Sequence, residues 1–437
     1  MENWSLSIAE QATRGQQKTI CLLQDLIREQ ASGEAAVQAR VAEAAREQGL
    51  LVEEVRYRPT DVPIIEEFAS PGVIDSSEQL AVVATWPGTG NGRRLIVFAH
   101  PDGEPPSRFA DWKLDPFAGT ISGERLYGWG VADDLAGVAA MFGAISILKS
   151  AGFSPAGDVY VASTPSKRHR RGITALLARG LDADAALYLH PAESGCGLSD
   201  VKAFSSGQVE FLVTVAGAKP DTNEPIQSTF AHRAVSPIDN AMLVHRALGA
   251  MNKQRAQSVR HPALDGHLGR STDLLLSFVS CGSSDSLYRA PTRCVLGGAL
   301  SFPPSETIAA VKEAIAGAVR KAADKDAWLS THTPTIEWVS GMPGAEVPES
   351  HALFQIASES VKTVTGTVPR MNALHTTSDI RNPIIQRGIP TIGLGPLCGN
   401  LAQNGHTDEW VDVEDYVRCV TVAAEIIARW CGLVRVD

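Results

Sequence analysis

The stretch that decides the fold is Leu95-Ile-Val-Phe-Ala-His100, an unbroken apolar run that ends in a histidine. Such a run predicts a strand buried on both faces, which is typical of parallel sheets. Two more apolar runs follow at Val159–Ala162 and Ala185–Leu189, and helical patterns at 133–149 and 173–179 come between the strands. This alternation predicts an α/β fold with a mixed, mainly parallel sheet, in which ligands bind at the carboxyl ends of the strands.

The pattern changes near Ser205 and returns near residue 340. The other predicted elements are helices at 5–30 and 34–48, strands near 50–57 and 79–86, strand Val209–Val215, helix Ser236–Asn252, strands near 274–280 and 293–302, helices Pro304–Ala323 and 351–364, strand Pro390–Leu394 and helix Val413–Trp430. The middle block has the order strand, helix, strand, strand, helix and a normal domain size. We therefore predict one domain from 1–205 and 341–437, interrupted by an inserted domain at 206–340.

Composition excludes several classes of function. A chain of 437 residues exceeds one hydrophobic core. The charge balance, 39 − 49 = −10, disfavours nucleic acid and anionic membranes as partners. The seven cysteines show no C-x-x-C spacing and suit a reducing compartment. Because the N-terminus lacks a signal-like segment and no unbroken stretch of about 18 apolar residues occurs, we expect a cytoplasmic protein that binds neither membrane nor nucleic acid.

Four polar positions follow predicted strands or glycine-rich turns. His100 and His190 each end an apolar strand, Asp133 stands at a glycine-rich turn that opens a helix, and His406 lies in a loop after the last strand. Asp102 stands close enough to His100 in sequence to orient its ring. A lone histidine at a strand end is more often structural, but four such positions in one sheet topology favour a metal site. Nitrogen and oxygen ligands of this kind suit zinc, manganese, cobalt or nickel.

The stretches around these positions resemble a known family. They are His100-Pro-Asp102, Asp111-Trp-Lys-Leu-Asp-Pro-Phe-Ala-Gly119, Leu126-Tyr-Gly-Trp-Gly-Val-Ala-Asp-Asp134, Gly388-Ile-Pro-Thr-Ile-Gly-Leu-Gly-Pro396 and His406-Thr-Asp-Glu-Trp-Val411. Together they resemble the aminoacylase, acetylornithine deacetylase and carboxypeptidase G metallohydrolases over nearly the whole chain. The resemblance implies a zinc-peptidase-like catalytic domain with helices on both faces of its sheet. It also implies that the insertion is an α+β, ferredoxin-like dimerisation domain, or lid.

The resemblance further implies a dinuclear site bridged by Asp133. One metal would take His100 and His190, and the other would take His406 and the second glutamate of a Glu-Glu pair. The first glutamate of that pair would be the general base. The inserted domain would form a homodimer or a larger assembly, and His232 fits the histidine that this domain lends to the site of the partner.

The chain departs from the family where the Glu-Glu pair is expected. After Val159–Ala162 it has Ser163-Thr-Pro-Ser-Lys-Arg-His-Arg-Arg-Gly172, with Lys167 and Arg168 in the places of the acidic pair. We therefore expect one divalent metal per subunit, held by His100, Asp133 and His190. The basic cluster suits a small anionic substrate, since arginine binds carboxylates in a bidentate manner. Arg289 lies near the position where the family grips a substrate carboxylate.

The leading hypothesis is metal-dependent hydrolysis of a C–N bond in a small carboxylate-bearing molecule. One alternative is an aminohydrolase that releases ammonia from an activated aromatic amine, as the nitroanthranilate-type member of the family does. Another is a metal-free pseudoenzyme or binding protein, although the retained candidate ligands speak against it. The candidate catalytic residues, each near a ligand in sequence, are Asp102 as the orienting acid and Glu104, Glu193, His169 and His232 as proton acceptors.

Overall fold

The computed structural model describes residues 3–103, 109–191, 194–374, 377–398 and 407–436. The chain folds into two compact units. Unit 1 comprises Met1–Ile65, Ile74–Ser205 and Ala345–Asp437, and unit 2 comprises Glu66–Val73 and Ser206–Gly344. The assignment of 1–205 and 341–437 to catalysis and of 206–340 to dimerisation stays a prediction.

The helices and strands lie close to most of the predicted segments. The helices are α1 (Asn3–Glu29), α2 (Glu34–Glu47), α3 (Ala136–Ser150), α4 (Gly172–Ala178), α5 (Pro237–Ser258), α6 (Pro262–Leu268), α7 (Ile308–Ala323), α8 (Ala352–Thr365), α9 (Arg381–Arg387) and α10 (Val413–Cys431). The strands are β1 (Leu51–Tyr57), β2 (Phe68–Ala69), β3 (Gln79–Trp86), β4 (Leu95–Ala99), β5 (Thr120–Ser122), β6 (Arg125–Tyr127), β7 (Phe153–Pro155), β8 (Val159–Ser163), β9 (Ala185–Leu189), β10 (Asp200–Val201), β11 (Phe204–Ser205), β12 (Gly207–Ala216), β13 (Asp273–Cys281), β14 (Arg293–Phe302), β15 (Thr335–Met342), β16 (Ala345–Glu346), β17 (Arg370–Met371), β18 (Thr391–Leu394), β19 (Trp410–Asp412) and β20 (Leu433–Arg435).

Unit 1 is built on a six-stranded mixed sheet with the order β1-β3-β8-β4-β9-β18. Strands β8, β4, β9 and β18 run parallel, whereas β1 and β3 are antiparallel to their neighbours. The register pairs Ala99 with Ser163 and Phe98 with Tyr188, so the carboxyl ends of the three central strands lie at one edge. The predicted α/β fold with a mainly parallel sheet is confirmed.

The central strand β4 is buried on both faces. Val97 and Ala99 belong to the hydrophobic core that includes α1, α3 and α10, while Ile96 and Phe98 belong to the core that includes α4. Alternate side chains of a strand point to opposite faces, so an unbroken apolar run is what two covered faces require. Helices therefore cover both faces of this sheet.

The helix predicted from Asp133 begins three residues later. Asp133 and Asp134 have extended backbone angles, φ −142° and −151°, and the peptide bond between them is cis. Helix α3 then starts at Ala136 and passes close to β9, where a Cβ on Gly137 would lie 1.8 Å from the carbonyl oxygen of Leu189. Only glycine allows this approach, which keeps the Asp133 turn against the sheet edge.

One segment, Val131–Ser150, is long and apolar enough to cross a membrane by length and composition, with a mean hydropathy of 1.7. The segment is not an unbroken apolar stretch, and it reaches this value although it contains Asp133 and Asp134. Within the described structure 94% of its apolar window is buried. The segment is therefore the core helix of unit 1.

Unit 2 contains a five-stranded antiparallel sheet with the order β13-β14-β12-β15-β2. The core of the unit combines inward residues of β12 and β14 with apolar residues of α5 and α7. The predicted order of strand, helix, strand, strand, helix was incomplete, because it lacked α6 and β15. The alternation of Ile336 and Trp338 with polar residues is the signal that could have identified β15.

Candidate metal centre

Three side chains from separate segments meet at the carboxyl edge of the unit 1 sheet. His100 follows β4, His190 follows β9, and Asp133 lies in the turn before α3. The Nε2 atoms of both histidines lie 2.9 Å from Asp133 Oδ1. All three residues are buried, and one ligand atom from each lies within 4.8 Å of the others, so the set could hold a metal ion.

The ring of His100 is oriented by Asp102. Its Nδ1 lies 3.0 Å from the carbonyl oxygen of Asp102 and 3.4 Å from its Oδ1. The Asp102 carboxylate itself accepts hydrogen bonds from the backbone N–H groups of Ser166 at 2.9 Å and Lys167 at 2.7 Å. An orienting acceptor on one ring nitrogen leaves the other nitrogen directed at Asp133.

The second oxygen of Asp133 contacts a lysine. The ammonium of Lys167, on the loop after β8, donates a hydrogen bond to Asp133 Oδ2. Burial alone would raise the pKa of Asp133, but Lys167 and His100 hold it well below its usual range. Asp133 therefore remains an anion, with its two oxygens facing different partners.

The ring of His190 has two neighbours at Nδ1. The Pro191 carbonyl oxygen lies 2.8 Å away and Lys202 Nζ lies 2.6 Å away. Lys202 is fully buried, and its backbone exchanges two hydrogen bonds of 2.7 Å with Gly393 of β18. Its amino group is thereby fixed behind the histidine ring.

Hydrogen bonds to Glu409 hold the turn that contains Asp133. The carboxylate of Glu409 accepts hydrogen bonds from the N–H groups of Gly130 at 3.0 Å, Ala132 at 2.7 Å and Asp133 at 3.2 Å. The side chain is buried, and burial raises its pKa to about 8. Three amide donors on one carboxylate hold the extended backbone at Asp133 in place.

The sequence patterns gave no role to Glu409 or Lys202. Glu409 stands within the quoted stretch His406-Thr-Asp-Glu-Trp-Val411, so its position beside a candidate ligand was a signal. Lys202 had no such motif, because it reaches His190 through the packing of its segment against Gly393.

The basic loop at 167–171 divides into residues with different partners. Arg170 contacts Glu34, donates to Asp75 at 3.0 Å and lies 3.5 Å from Asp102, and Arg171 donates to the carbonyl oxygen of Pro59 at 2.8 Å. These two arginines hold the loop to the rest of unit 1. The expectation that the basic cluster binds an anionic substrate stays a prediction. Arg168 is exposed and has a positive φ of 55°.

The other predicted site residues lie elsewhere or outside the described residues. Glu104, Glu193 and His406 belong to the segments that the structure does not describe. His232 is exposed in a short helical turn, Ser228–Arg233, of unit 2. Arg289 is also exposed in unit 2, with its guanidinium 5.9 Å from the Tyr288 ring centroid.

Three aromatic rings form a cluster beside Gly103. Trp129 packs edge-on against Phe109 and Phe117, with ring centroids 6.1 and 5.9 Å apart. A Cβ on Gly103 would lie 3.2 Å from Trp129 Nε1, so the indole borders the backbone beside Asp102. Phe109 is 48% exposed, which gives this aromatic cluster a solvent-facing side.

A mainly parallel α/β sheet with two histidines and an aspartate at its carboxyl edge is an arrangement that could hold a metal ion beside a substrate. Residues 96–429 match the model of the peptidase family M20/M25/M40, which is most of the chain. This protein therefore belongs to that family and is a hydrolase of C–N bonds.

Named relatives and a solved structure agree with this family. The chain is 27% identical over 350 residues to the succinyl-diaminopimelate desuccinylase of Phenylobacterium zucineum, covering 78% of this chain and 84% of that protein. It is 22% identical over 348 residues to the N-formyl-4-amino-5-aminomethyl-2-methylpyrimidine deformylase of Bacillus subtilis, covering 77% and 79%. A dinuclear metal-binding M20 peptidase of Bacillus subtilis has the same fold, with a TM-score of 0.63, 14% identity and coverage of 97% and 100%.

Proposed function

We propose that this hydrolase uses one divalent metal ion, held by His100, Asp133 and His190, to cleave a C–N bond in a small carboxylate-bearing molecule. The observation that carries the proposal is the contact of the Lys167 ammonium with Asp133 Oδ2. Both histidines contact Oδ1, so a metal ion held with them would bind this oxygen. The position at Oδ2, where a second cation could bind, is taken by the Lys167 ammonium. A fixed positive charge there opposes a second metal ion.

The donor set fits a divalent transition metal. It consists of two imidazole nitrogens and one carboxylate oxygen, which suit zinc, manganese, cobalt or nickel. Burial keeps competing water away, and Asp102 orients His100 as an outer partner does in metal sites. A divalent ion in this position supplies Lewis acidity, which makes water more acidic and stabilises negative charge on a substrate oxygen.

The residues of the chain would hold this centre rigid. Glu409 fixes the backbone at Asp133 through three N–H donors, and Asp102 ties the Lys167 loop to the His100 segment. Such fixed partners keep a reactive geometry from relaxing, which is how preorganised sites gain rate. In the described residues Asp102 has both oxygens engaged, so the proton acceptor is better sought at His169 or His232, or at Glu104 or Glu193 outside them.

The substrate carboxylate would bind the exposed Arg168. Its neighbours Arg170 and Arg171 are engaged by groups of unit 1, and the Lys167 ammonium contacts Asp133, so Arg168 is the arginine of this loop that would face a ligand in this hypothesis. Arg289 is a second candidate for the same charge, on unit 2. A guanidinium matches the two oxygens of a carboxylate in geometry and charge.

We also propose that unit 2 forms a homodimer through β13. This strand is at the edge of its sheet, and Leu275, Phe278 and Val279 on it are 65%, 50% and 64% exposed. An exposed apolar edge strand favours pairing with another copy of the same strand. His232 would then be the residue lent to the site of the partner.

A second candidate function is hydrolytic release of ammonia from an activated aromatic amine. The aromatic cluster of Phe109, Phe117 and Trp129 beside Gly103 favours a flat ring as part of the substrate. Aromatic side chains recognise such rings by stacked or edge-on packing. The two functions differ in product, since the first releases an amine and a carboxylic acid and the second releases ammonia.

One experiment separates these functions. The purified protein is analysed for bound metal and then incubated with acyl amino acids and with aminobenzoates, while released acid, amine and ammonia are measured. The proposal expects one divalent ion per chain and release of a carboxylic acid that stops after chelation and returns with metal. Ammonia from the aminobenzoates alone favours the second function, and two ions per chain contradict the mononuclear site.

A further inference from the structure

Two cysteines face each other across the edge of the unit 2 sheet. Cys281 is the last residue of β13, and the antiparallel register pairs it directly with Cys294 of β14. The Cys281 thiol donates a hydrogen bond to the carbonyl oxygen of Arg293, the residue next to Cys294, at 3.4 Å. Both cysteines are free thiols.

The pairing satisfies the distance that a disulfide needs. Directly opposed residues of an antiparallel pair have Cα atoms about 4.5 or 5.5 Å apart, according to the hydrogen-bonding pattern. Disulfides span Cα separations of about 4.4–6.8 Å, so the register places the two Cα atoms within the range that a disulfide bridges. The two thiols also differ in access, because Cys281 is partly exposed and Cys294 is buried.

We infer that Cys281 and Cys294 form a reversible disulfide by exchange with a low-molecular-weight disulfide such as oxidised glutathione. The Cys281 thiolate attacks one sulfur of the glutathione disulfide, which forms a mixed disulfide and releases one glutathione. The Cys294 thiolate then attacks the sulfur of Cys281 and releases the second glutathione. Two protein thiols are oxidised, one glutathione disulfide is reduced to two thiols, and the two cysteine protons go to the leaving thiolates.

The bond would close the base of a hairpin. The twelve residues between the cysteines, Gly282–Arg293, include Tyr288 and Arg289. The carbonyl oxygen of Tyr288 accepts a hydrogen bond from Gln227 N at 3.0 Å, and Ala290 N donates to Gln227 Oε1 at 2.9 Å. The hairpin therefore braces the chain just before the His232 turn. A disulfide at the base of the hairpin would restrict the motion of the hairpin and of the chain before His232. Any consequence for catalysis rests on the proposed function.

The test counts reactive thiols and maps the linked pair. The intact protein is equilibrated with oxidised glutathione, denatured and alkylated with N-ethylmaleimide, and compared with the reduced protein by mass spectrometry. We expect seven alkylated cysteines in the reduced protein and a loss of two after oxidation, with a peptide that links Cys281 to Cys294. Cys281→Ser should keep its remaining thiols alkylatable, whereas the matched control Cys196→Ser should still form the bond.

The wild-type protein alone can overturn the inference, and no measurement of hydrolase activity is needed. If the wild-type protein keeps Cys281 and Cys294 alkylatable while Cys21 or Cys196 becomes glutathionylated, the inference is overturned. Amide exchange over 282–292 should slow in the oxidised protein, and equal exchange in both states would contradict the clamped hairpin. A linked peptide without any hydrolysis leaves the disulfide standing and counts only against the proposed function.

Discussion

Replacement of Lys167 by methionine tests whether one cation or two belong beside Asp133. The lysine ammonium contacts Asp133 Oδ2, and the histidines lie 2.9 Å from Oδ1. Methionine fills much of the same space but has no charge. A divalent ion on Oδ1 then no longer meets a neighbouring positive charge. We therefore expect Lys167→Met to bind a divalent ion more tightly than the wild type.

The size of the effect follows from the charges and their exposure. An ammonium and a divalent ion about 5 Å apart repel by about 7 kcal/mol at an effective dielectric constant of about 20. The Lys167 side chain is 20% exposed, so solvent screens the charge and the ammonium can turn outward. For a screened repulsion of about 1.4–2.8 kcal/mol, the Kd of the metal ion should be roughly ten- to hundredfold lower in Lys167→Met than in the wild type. Without metal, the loss of the partner of Asp133 Oδ2 should cost about 1–3 kcal/mol of stability.

Two measurements on chelator-treated protein check these values. Calorimetric titration with zinc or manganese gives Kd and the number of ions per chain, and thermal unfolding with and without metal gives the change in stability. Lys149→Met is the matched control, since Lys149 is also half-buried and lies 5.1 Å from the Trp86 ring centroid, in contact with Gln48. We expect the control to leave Kd unchanged.

Two results would refute the reasoning. If Lys167→Met binds metal no more tightly than wild type, the lysine does not oppose the ion. If the wild type takes up two ions with similar affinity, the mononuclear site is wrong whatever the variant does.

The remaining predictions concern the metal ligand, the substrate, the interface and pH. His100→Ala should remove metal from the purified protein and abolish turnover with little loss of circular-dichroism signal, and wild-type turnover would exclude this ligand. Arg168→Met should reduce kcat/KM roughly ten- to hundredfold for an acid substrate, because a charged hydrogen bond contributes about 1.5–3 kcal/mol, but spare its methyl ester; equal losses would assign Arg168 to folding. Phe278→Lys should shift sedimentation from dimer to monomer, and an unchanged dimer would point to another interface. Because burial raises the pKa of Glu409 from 4.5 to about 8, the folded metal-free protein keeps a proton that the unfolded chain releases. Stability should therefore fall as pH rises between these values, by at most about 1.4 kcal/mol per pH unit. Glu409→Gln should flatten that fall in thermal unfolding.

The sequence by itself determined the fold class and the origin of the candidate ligands. An unbroken apolar run such as Leu95–Ala99 is typical of a strand that is covered on both faces. Helical patterns between such runs indicate helices that connect parallel strands of one sheet. Parallel strands end at the same edge, which is why the positions of His100 and His190 at strand ends were enough to predict that they lie together. The sequence alone also shows that no acidic residue occurs between Asp158 and Asp182, the stretch that contains β8 and the loop after it.

Only the tertiary structure decided which charges face each other. Lys167, Arg170 and Arg171 are alike in sequence, yet one contacts Asp133, one contacts Glu34 and Asp75, and one contacts a backbone carbonyl. Their loop contains consecutive positive φ angles at Arg168 and His169, which turn neighbouring side chains in different directions. Periodicity carries no information about such a loop, because it holds only for repeated helix or strand geometry.

The partners of the site that the sequence patterns did not reveal are distant in the chain. Glu409 lies 276 residues from Asp133, whose backbone N–H donates a hydrogen bond to the Glu409 carboxylate. Lys202 is fixed behind His190 through its backbone pairing with Gly393. A long-range contact depends on where packed elements finally lie, and many residues of one type are compatible with the same local pattern. The sequence thus determined which residue types reach the sheet edge, and the packing of the segments around that edge decided which of them became partners.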